Sequence, residues 1–273
     1  MKISTFTTYT KPETRGDPWR EALNCYNSYS DEVVVLGEDW PDEFKFSLIG
    51  KYFQKGFDLC SGDWVLRMDI DYFIHEKNNA KLRKLLKKYS DYPAVAFPQY
   101  QFFTPERYQI KTRLCVALNK NKFPNIKLNG GGDLCLPTLN GVILDYTNVP
   151  NINIPIYQYD SLFRTKKIIA EDRARFARAW NSEFGNYGNR GGPDSDVAFE
   201  AWFEMIKLKY YSHTHRMNIK KHPEYIKDRI SLLSEKQFGY SAFGLKGQTK
   251  RDINIYLKGY REKYINPLVY KLK

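Results

Sequence analysis

Two periods of apolar residues alternate along the first hundred positions. Ile3 to Thr8 reads as a short strand, Trp19 to Tyr29 as a helix, and Val33 to Leu36, opened by Ser30-Asp31-Glu32, as a second strand. Phe46 to Leu59 (FSLIGKYFQKGFDL) returns to helical spacing and leads through Ser61-Gly62 into the apolar run Asp63-Trp64-Val65-Leu66. Strands separated by amphipathic helices are the signature of an α/β sheet flanked by helices.

Beyond this half the pattern loosens. Tyr92 to Phe103 (YPAVAFPQYQFF) is expected to be a buried strand running into an aromatic loop, and Asn129-Gly130-Gly131-Gly132-Asp133 a turn. Its three glycines lack the strand-to-helix setting of a phosphate loop, which favours a plain turn. Val197 to Ile206 reads as an amphipathic helix, preceded by Gly191-Gly192-Pro193-Asp194-Ser195-Asp196 and followed by two histidines in His213-Thr214-His215. Near the end Ile253, Tyr256, Leu257, Tyr260 and Tyr264 recur at helical spacing, with Pro267 as the stop.

The run Ser61 to Phe73 (SGDWVLRMDIDYF) carries the most chemistry. It sets Asp69 and Asp71 at the end of an apolar strand, and residues two apart on an extended strand share a face. One divalent cation held by both acids would suit a diphosphate ligand.

The helix followed by GDWVLRMDID resembles the corresponding segment of family 2 glycosyltransferases of the GT-A fold. The likeness reaches back to the N-terminus through the strand, helix and strand described above, and is loose beyond residue 100. It implies a GT-A (Rossmann-like) mixed sheet flanked by helices, with a nucleotide-sugar half at about 1–100 and an acceptor half at about 101–205. A basic helical C-terminal extension, 206–273, would follow.

In open α/β sheets ligands sit outside the carboxyl ends of the strands, here Thr5 to Thr8, Gly37 to Asp39 and Asp69 to Asp71. The resemblance implies a nucleobase and ribose near the first two ends, with Thr5, Thr7, Asp39 and Asp69 as donor-binding residues and Asp71 on the metal. It also implies that an acid after a glycine turn is the catalytic base and that a histidine beyond the next helix completes the metal shell. Those residues are Asp194 or Asp196 and His213 or His215. Pro193 departs from the family pattern, which has an acid there, and Asp194 or Asp196 would equally cap the helix. Asp160, with Arg164 nearby in sequence, is a competing base. The implied reaction is an inverting displacement, with Mg²⁺ or Mn²⁺ neutralising the departing diphosphate while the base takes a proton from the acceptor hydroxyl. The donor would be a UDP- or GDP-sugar.

Charge bears on the acceptor. From Lys207 onward there are 16 Lys or Arg against 5 Asp or Glu, a net +11 of the chain's formal +12, interleaved with tyrosines. Such a region attracts polyanions. Lys220, Lys221, Lys250 and Arg251 are its candidate acceptor-binding residues, and the acceptor classes are a surface glycan or glycolipid, with peripheral membrane contact, or a hydroxymethylated base in DNA.

Two other classes share single features. A haloacid-dehalogenase-like phosphohydrolase also places D-x-D after a strand, but usually has Thr or Val where this chain has Phe73. A non-catalytic nucleic-acid-binding protein would explain the basic end and leave the acid pair without a use.

The four cysteines, Cys25, Cys60, Cys115 and Cys135, are too scattered for a zinc cluster and read as buried free thiols. With 42% hydrophobic residues the chain can bury a core, and its mean hydropathy of -0.59 does not suggest a membrane span. MKISTFTTYT has no apolar signal core, so a cytoplasmic protein is expected.

Overall fold

A computed structural model describes the chain except for residues 39, 42, 44, 130–134, 189–190, 248–256 and 258–273. In chain order the elements are β1 (Ile3–Thr8), α1 (Pro12–Arg15), α2 (Trp19–Tyr29), β2 (Glu32–Leu36), α3 (Phe46–Leu59), β3 (Trp64–Arg67), β4 (Tyr72–Ile74), α4 (Asn79–Lys88), β5 (Ala94–Thr104) and β6 (Arg107–Asn119). They continue with β7 (Thr138–Leu139), β8 (Val142–Ile143), β9 (Ile156–Gln158), α5 (Lys166–Phe184), α6 (Ser195–Ser212), β10 (Thr214–Arg216), α7 (Glu224–Ser231) and α8 (Phe238–Ser241). The architecture is a mixed α/β sheet flanked by helices, as the sequence pattern predicts.

The chain divides into two compact units. The first comprises residues 1–100, 111–159 and 222–231. Its sheet has the order β2-β1-β3-β6-β5-β9-β4. Strands β1, β2 and β3 are parallel, with Thr5 opposite Val33 on one side and Leu66 on the other. The sheet turns antiparallel where β3 meets β6 and again where β4 meets β9.

The central strands are buried: β3 at every position, and β1 from Ile3 to Thr7, where Ser4, Thr5 and Thr7 are polar. Helix α3 presents Phe46, Ile49, Phe53 and Phe57 to the sheet. Gly56 lets it come close, since a Cβ there would fall 2.4 Å from the Phe6 ring. At its C-terminal end Lys120 Nζ donates to the carbonyls of Phe57, Asp58 and Cys60 at 2.8, 2.8 and 2.6 Å. A cation there satisfies acceptors that the helix leaves open. The four thiols are buried and unbridged, as the sequence reading has them.

The second unit comprises residues 101–110, 160–221 and 232–273. Its core is aromatic, with Phe103, Phe199, Trp202, Tyr210 and Phe238 packed around Ile169, Ile206 and Leu245. Strand β10 pairs antiparallel with the start of β6, placing His215 opposite Tyr108.

Four sequence expectations change. Asp69 and Asp71 are not on an extended strand: β3 stops at Arg67, and Tyr72 N–H donates to Asp69 O at 2.8 Å, closing a β-turn. The aromatic stretch after Tyr92 is strand throughout, since β5 runs to Thr104. The helix after Pro193 is longer than Val197 to Ile206, and the compositional shift near residue 205 falls inside it. Tyr210 therefore packs as a helix residue in the aromatic core. The glycine run 130–132 and the C-terminal periodic segment lie outside the described residues, apart from Leu257, which is helical and exposed. Among the described residues no helix is long and apolar enough to cross a membrane.

Candidate donor site

The first unit gathers its chemistry at the carboxyl ends of β1, β2 and β3. Tyr9 N–H continues the ladder by donating to Leu36 O at 3.0 Å, and the chain then turns at Gly37, whose φ is +103°. A Cβ at Gly37 would stand 2.6 Å from Tyr9 O, so both the φ and the close approach require glycine. Just beyond, Trp40 stacks on Tyr52 with ring centres 4.5 Å apart, and Tyr9 lies against Trp19 at 6.0 Å.

The two threonines of β1 differ. Thr5 is buried and its hydroxyl is 2.6 Å from Ser30 Oγ, an internal contact. Thr7 is also buried, yet its Oγ1 has no hydrogen-bond partner among the described residues. A buried hydroxyl without a partner costs about 1–3 kcal/mol, which a polar ligand at this strand end would recover.

The acid pair occupies a turn pinned from three sides. Tyr26 Oη donates to Asp69 O at 2.6 Å, Tyr159 N–H donates to Asp71 O at 3.0 Å, and Met68 N–H donates to Phe6 O at 3.0 Å. Asp71 is buried, while the Asp69 side chain is 38% exposed. Burial, with neighbouring negative charge including Asp71 and Asp69, pushes the Tyr26 phenol well above its usual range, so it stays protonated and keeps holding Asp69. Burial likewise raises Tyr72, helped by Asp69 and Asp71, and Gln99 Nε2 donates to its oxygen at 3.1 Å. Arg67 completes the group. Its guanidinium lies 4.7 Å from the centre of the Phe53 ring and 3.8 Å from Asp69 Oδ1.

The other predicted site residues belong to the second unit or fall outside the described ones. Asp194 is the N-cap of α6, its Oδ1 accepting from Asp196 N–H at 2.9 Å and Val197 N–H at 3.0 Å. Asp196 is exposed and lines a groove of about 400 Å³ with Lys166, Lys167, Glu171 and Ser195. Asp160 is held by two guanidinium groups, Arg164 at 3.3 Å and Arg173 at 3.1 Å. His213 is the C-cap of α6, and the exposed His215 ring lies 5.5 Å from Tyr108. Lys220 and Lys221 are exposed on a short 3₁₀ turn. Asp39, Lys250 and Arg251 lie outside the described residues. Among the described residues, no three His, Cys, Asp or Glu side chains are grouped to hold a metal ion.

Sequence reasoning assigned no role to Arg67, Tyr26 and Tyr72. Arg67 carried a readable signal, a lone cation ending an otherwise apolar strand; Tyr26 did not, because its reach to Asp69 is a tertiary contact.

No protein-family model and no curated protein matches the chain. Among solved structures it is similar to Staphylococcus aureus TarS residues 1–349, at 12% identity and a TM-score of 0.39 over 98% of this chain and 92% of that one. A longer crystal structure of TarS aligns at 13% identity and a TM-score of 0.38, over 96% of this chain and 55% of that one. TarS 1–349 in complex with UDP-GlcNAc aligns at 11% identity and a TM-score of 0.38, over 98% and 92%. At such values the functional reading rests on this chain's own residues.

Proposed function

We propose that the chain is a glycosyltransferase of the GT-A type, which moves a sugar from a nucleoside-diphosphate donor to an acceptor hydroxyl. The observation that carries this reading is the Asp69–Tyr72 turn at the carboxyl ends of three parallel strands, with one acid buried and one half-exposed. That is where an open α/β sheet binds its ligand. Carboxylate oxygens fit Mg²⁺ or Mn²⁺, and Mg²⁺ in particular is commonly held by one or two acids and completed by substrate phosphates instead of a protein cage. Asp71, with Asp69, would hold the ion, which when bound supplies neutralisation of the departing diphosphate. His213 and His215 are left out of this set, since one caps a helix and the other sits in β10.

Asp69 and the Thr7 hydroxyl are assigned to the donor's sugar and base, and the Trp40 and Tyr52 pair to the rim of the same crevice. The proton of the acceptor hydroxyl is assigned to Asp196. Asp194 spends an oxygen on the helix cap, and both oxygens of Asp160 face guanidinium groups. An inverting displacement is the expected course. Exposed Lys220 and Lys221 and the cation excess after Lys207 favour an anionic acceptor.

The test is incubation with UDP-glucose, UDP-GlcNAc and GDP-mannose in Mn²⁺, with and without hydroxymethylated DNA or anionic glycan, measuring released nucleotide. Release that depends on the donor and stops in excess chelator supports the reading. No release with any donor, or phosphomonoester hydrolysis instead, would reject it.

A further inference from the structure

We infer that Arg67 is a binding residue for the donor's diphosphate and sets the preference for a diphosphate over the bare nucleoside; this deepens the function proposed above and rests on it. The Arg67 side chain is 10% exposed and makes no hydrogen bond to any described residue. Its contacts are the face of Phe53, 4.7 Å from ring centre to guanidinium carbon, and Asp69 Oδ1 at 3.8 Å, too long for a hydrogen bond. Guanidinium stays charged in proteins, so burial cannot be relieved by losing a proton. The side chain as a whole is thus nine-tenths covered, and no described residue accepts from its five N–H donors. An anionic acceptor arriving with the ligand would meet these donors in charge-assisted hydrogen bonds.

Position identifies the acceptor's chemistry. Arg67 is the last residue of β3 and stands two residues before Asp69 and four before Asp71. The guanidinium carbon lies over the Phe53 ring, and a guanidinium's planar fork matches two oxygens of one phosphate. A phosphate also reconciles the charges here, because its oxygens can face both the guanidinium and an ion held by the acids. A neutral sugar hydroxyl would leave most of the donors unused.

Arg67→Met keeps an apolar stem against Phe53 and removes the fork, while Arg67→Lys keeps stem and charge without the paired donors. UDP and uridine are titrated into the wild type and both variants in Mn²⁺, UDP by calorimetry and uridine by ligand-observed NMR, with GDP and guanosine as the second pair. The expected result is a diphosphate affinity lower by about tenfold to a hundredfold in Arg67→Met and about tenfold in Arg67→Lys, with nucleoside affinity unchanged. If nucleoside and diphosphate weaken alike, or if the variants' loss of diphosphate affinity disappears when Mn²⁺ is replaced by excess chelator, Arg67 acts only through Asp69 and the inference fails. It fails too if both diphosphates bind the variants within threefold of wild type. Should Arg67→Met not fold, the lysine variant decides by the same ratio. Wild type that binds neither diphosphate overturns the proposed function itself and the inference with it, an outcome distinct from normal wild-type binding with unaffected variants.

Discussion

Asp69-Ile70-Asp71 and Asp194-Ser195-Asp196 have the same spacing and opposite surroundings. In the first, the backbone is held by three contacts from distant parts of the chain, Tyr26, Tyr159 and Phe6, and one acid is buried. In the second, the acids are exposed and Asp194 Oδ1 accepts from the amides of Asp196 and Val197 in its own helix. The helix start would form in almost any protein, because a cap needs nothing but local sequence. The turn needs a whole sheet to place it, and distant residues hold its two acids beside the Arg67 guanidinium, the setting on which the proposed donor site rests.

The largest expected effect breaks the first pair. Asp71→Asn replaces a carboxylate with a weak neutral ligand of the same shape, and sugar transfer should fall at least about a hundredfold while the thermal transition moves little. Steady-state rates alongside a melting curve check both halves; retained turnover would place the donor site elsewhere. The second pair separates chemistry from capping. Asp196→Asn should slow transfer by about a hundredfold with donor affinity kept, whereas Asp194→Asn, which still caps, should leave transfer within a few-fold of wild type. Reversed results would return the base to Asp194, and collapse in Asp160→Asn would move it there.

A smaller effect is structural. Asp194→Ala should cost about 1 kcal/mol of stability and Asp194→Asn only a few tenths, read from denaturant midpoints. The least effect concerns acid stability in the first unit. Burial acts against the Glu32 carboxylate, but hydrogen bonds from Ser4 and Ser61 and the nearby Lys2 outweigh it and hold its pKa below the ordinary 4.5. Ile3 N–H, then Arg83, hold Asp31 below 3.8. A carboxyl depressed in the folded state stabilises fully above its unfolded value and loses that contribution as pH falls through the folded one. Glu32→Gln should therefore shallow the loss of stability below about pH 4.5 and leave the slope from pH 6 to 8 unchanged.

Much of the first unit was legible because its elements are local. Helix α3 begins and ends where the periodicity of FSLIGKYFQKGFDL begins and ends, and β1 and α2 lie where their spacing puts them. The acid pair was legible as chemistry, yet its turn was not, since nothing in RMDID says that β3 stops at Arg67. The turn that follows is held by tertiary hydrogen bonds from Tyr26 and Tyr159. In the second unit, α6 continues beyond the expected end at Ile206 to Ser212, where the aromatic core takes Tyr210 into the helix. Arg67 shows the remaining gap. A lone arginine in a strand is visible in sequence, but that it lies over Phe53 with no acceptor among the described residues emerges only from the fold.

The most direct measurement is a crystal structure with UDP and Mn²⁺, using the anomalous signal of manganese to locate the ion. The account predicts one peak within bonding distance of an Asp71 carboxylate oxygen, bridged by diphosphate oxygens that also meet the Arg67 guanidinium. Nucleotide bound away from the Asp69–Tyr72 turn, or an ion with no bond to Asp71, would contradict it.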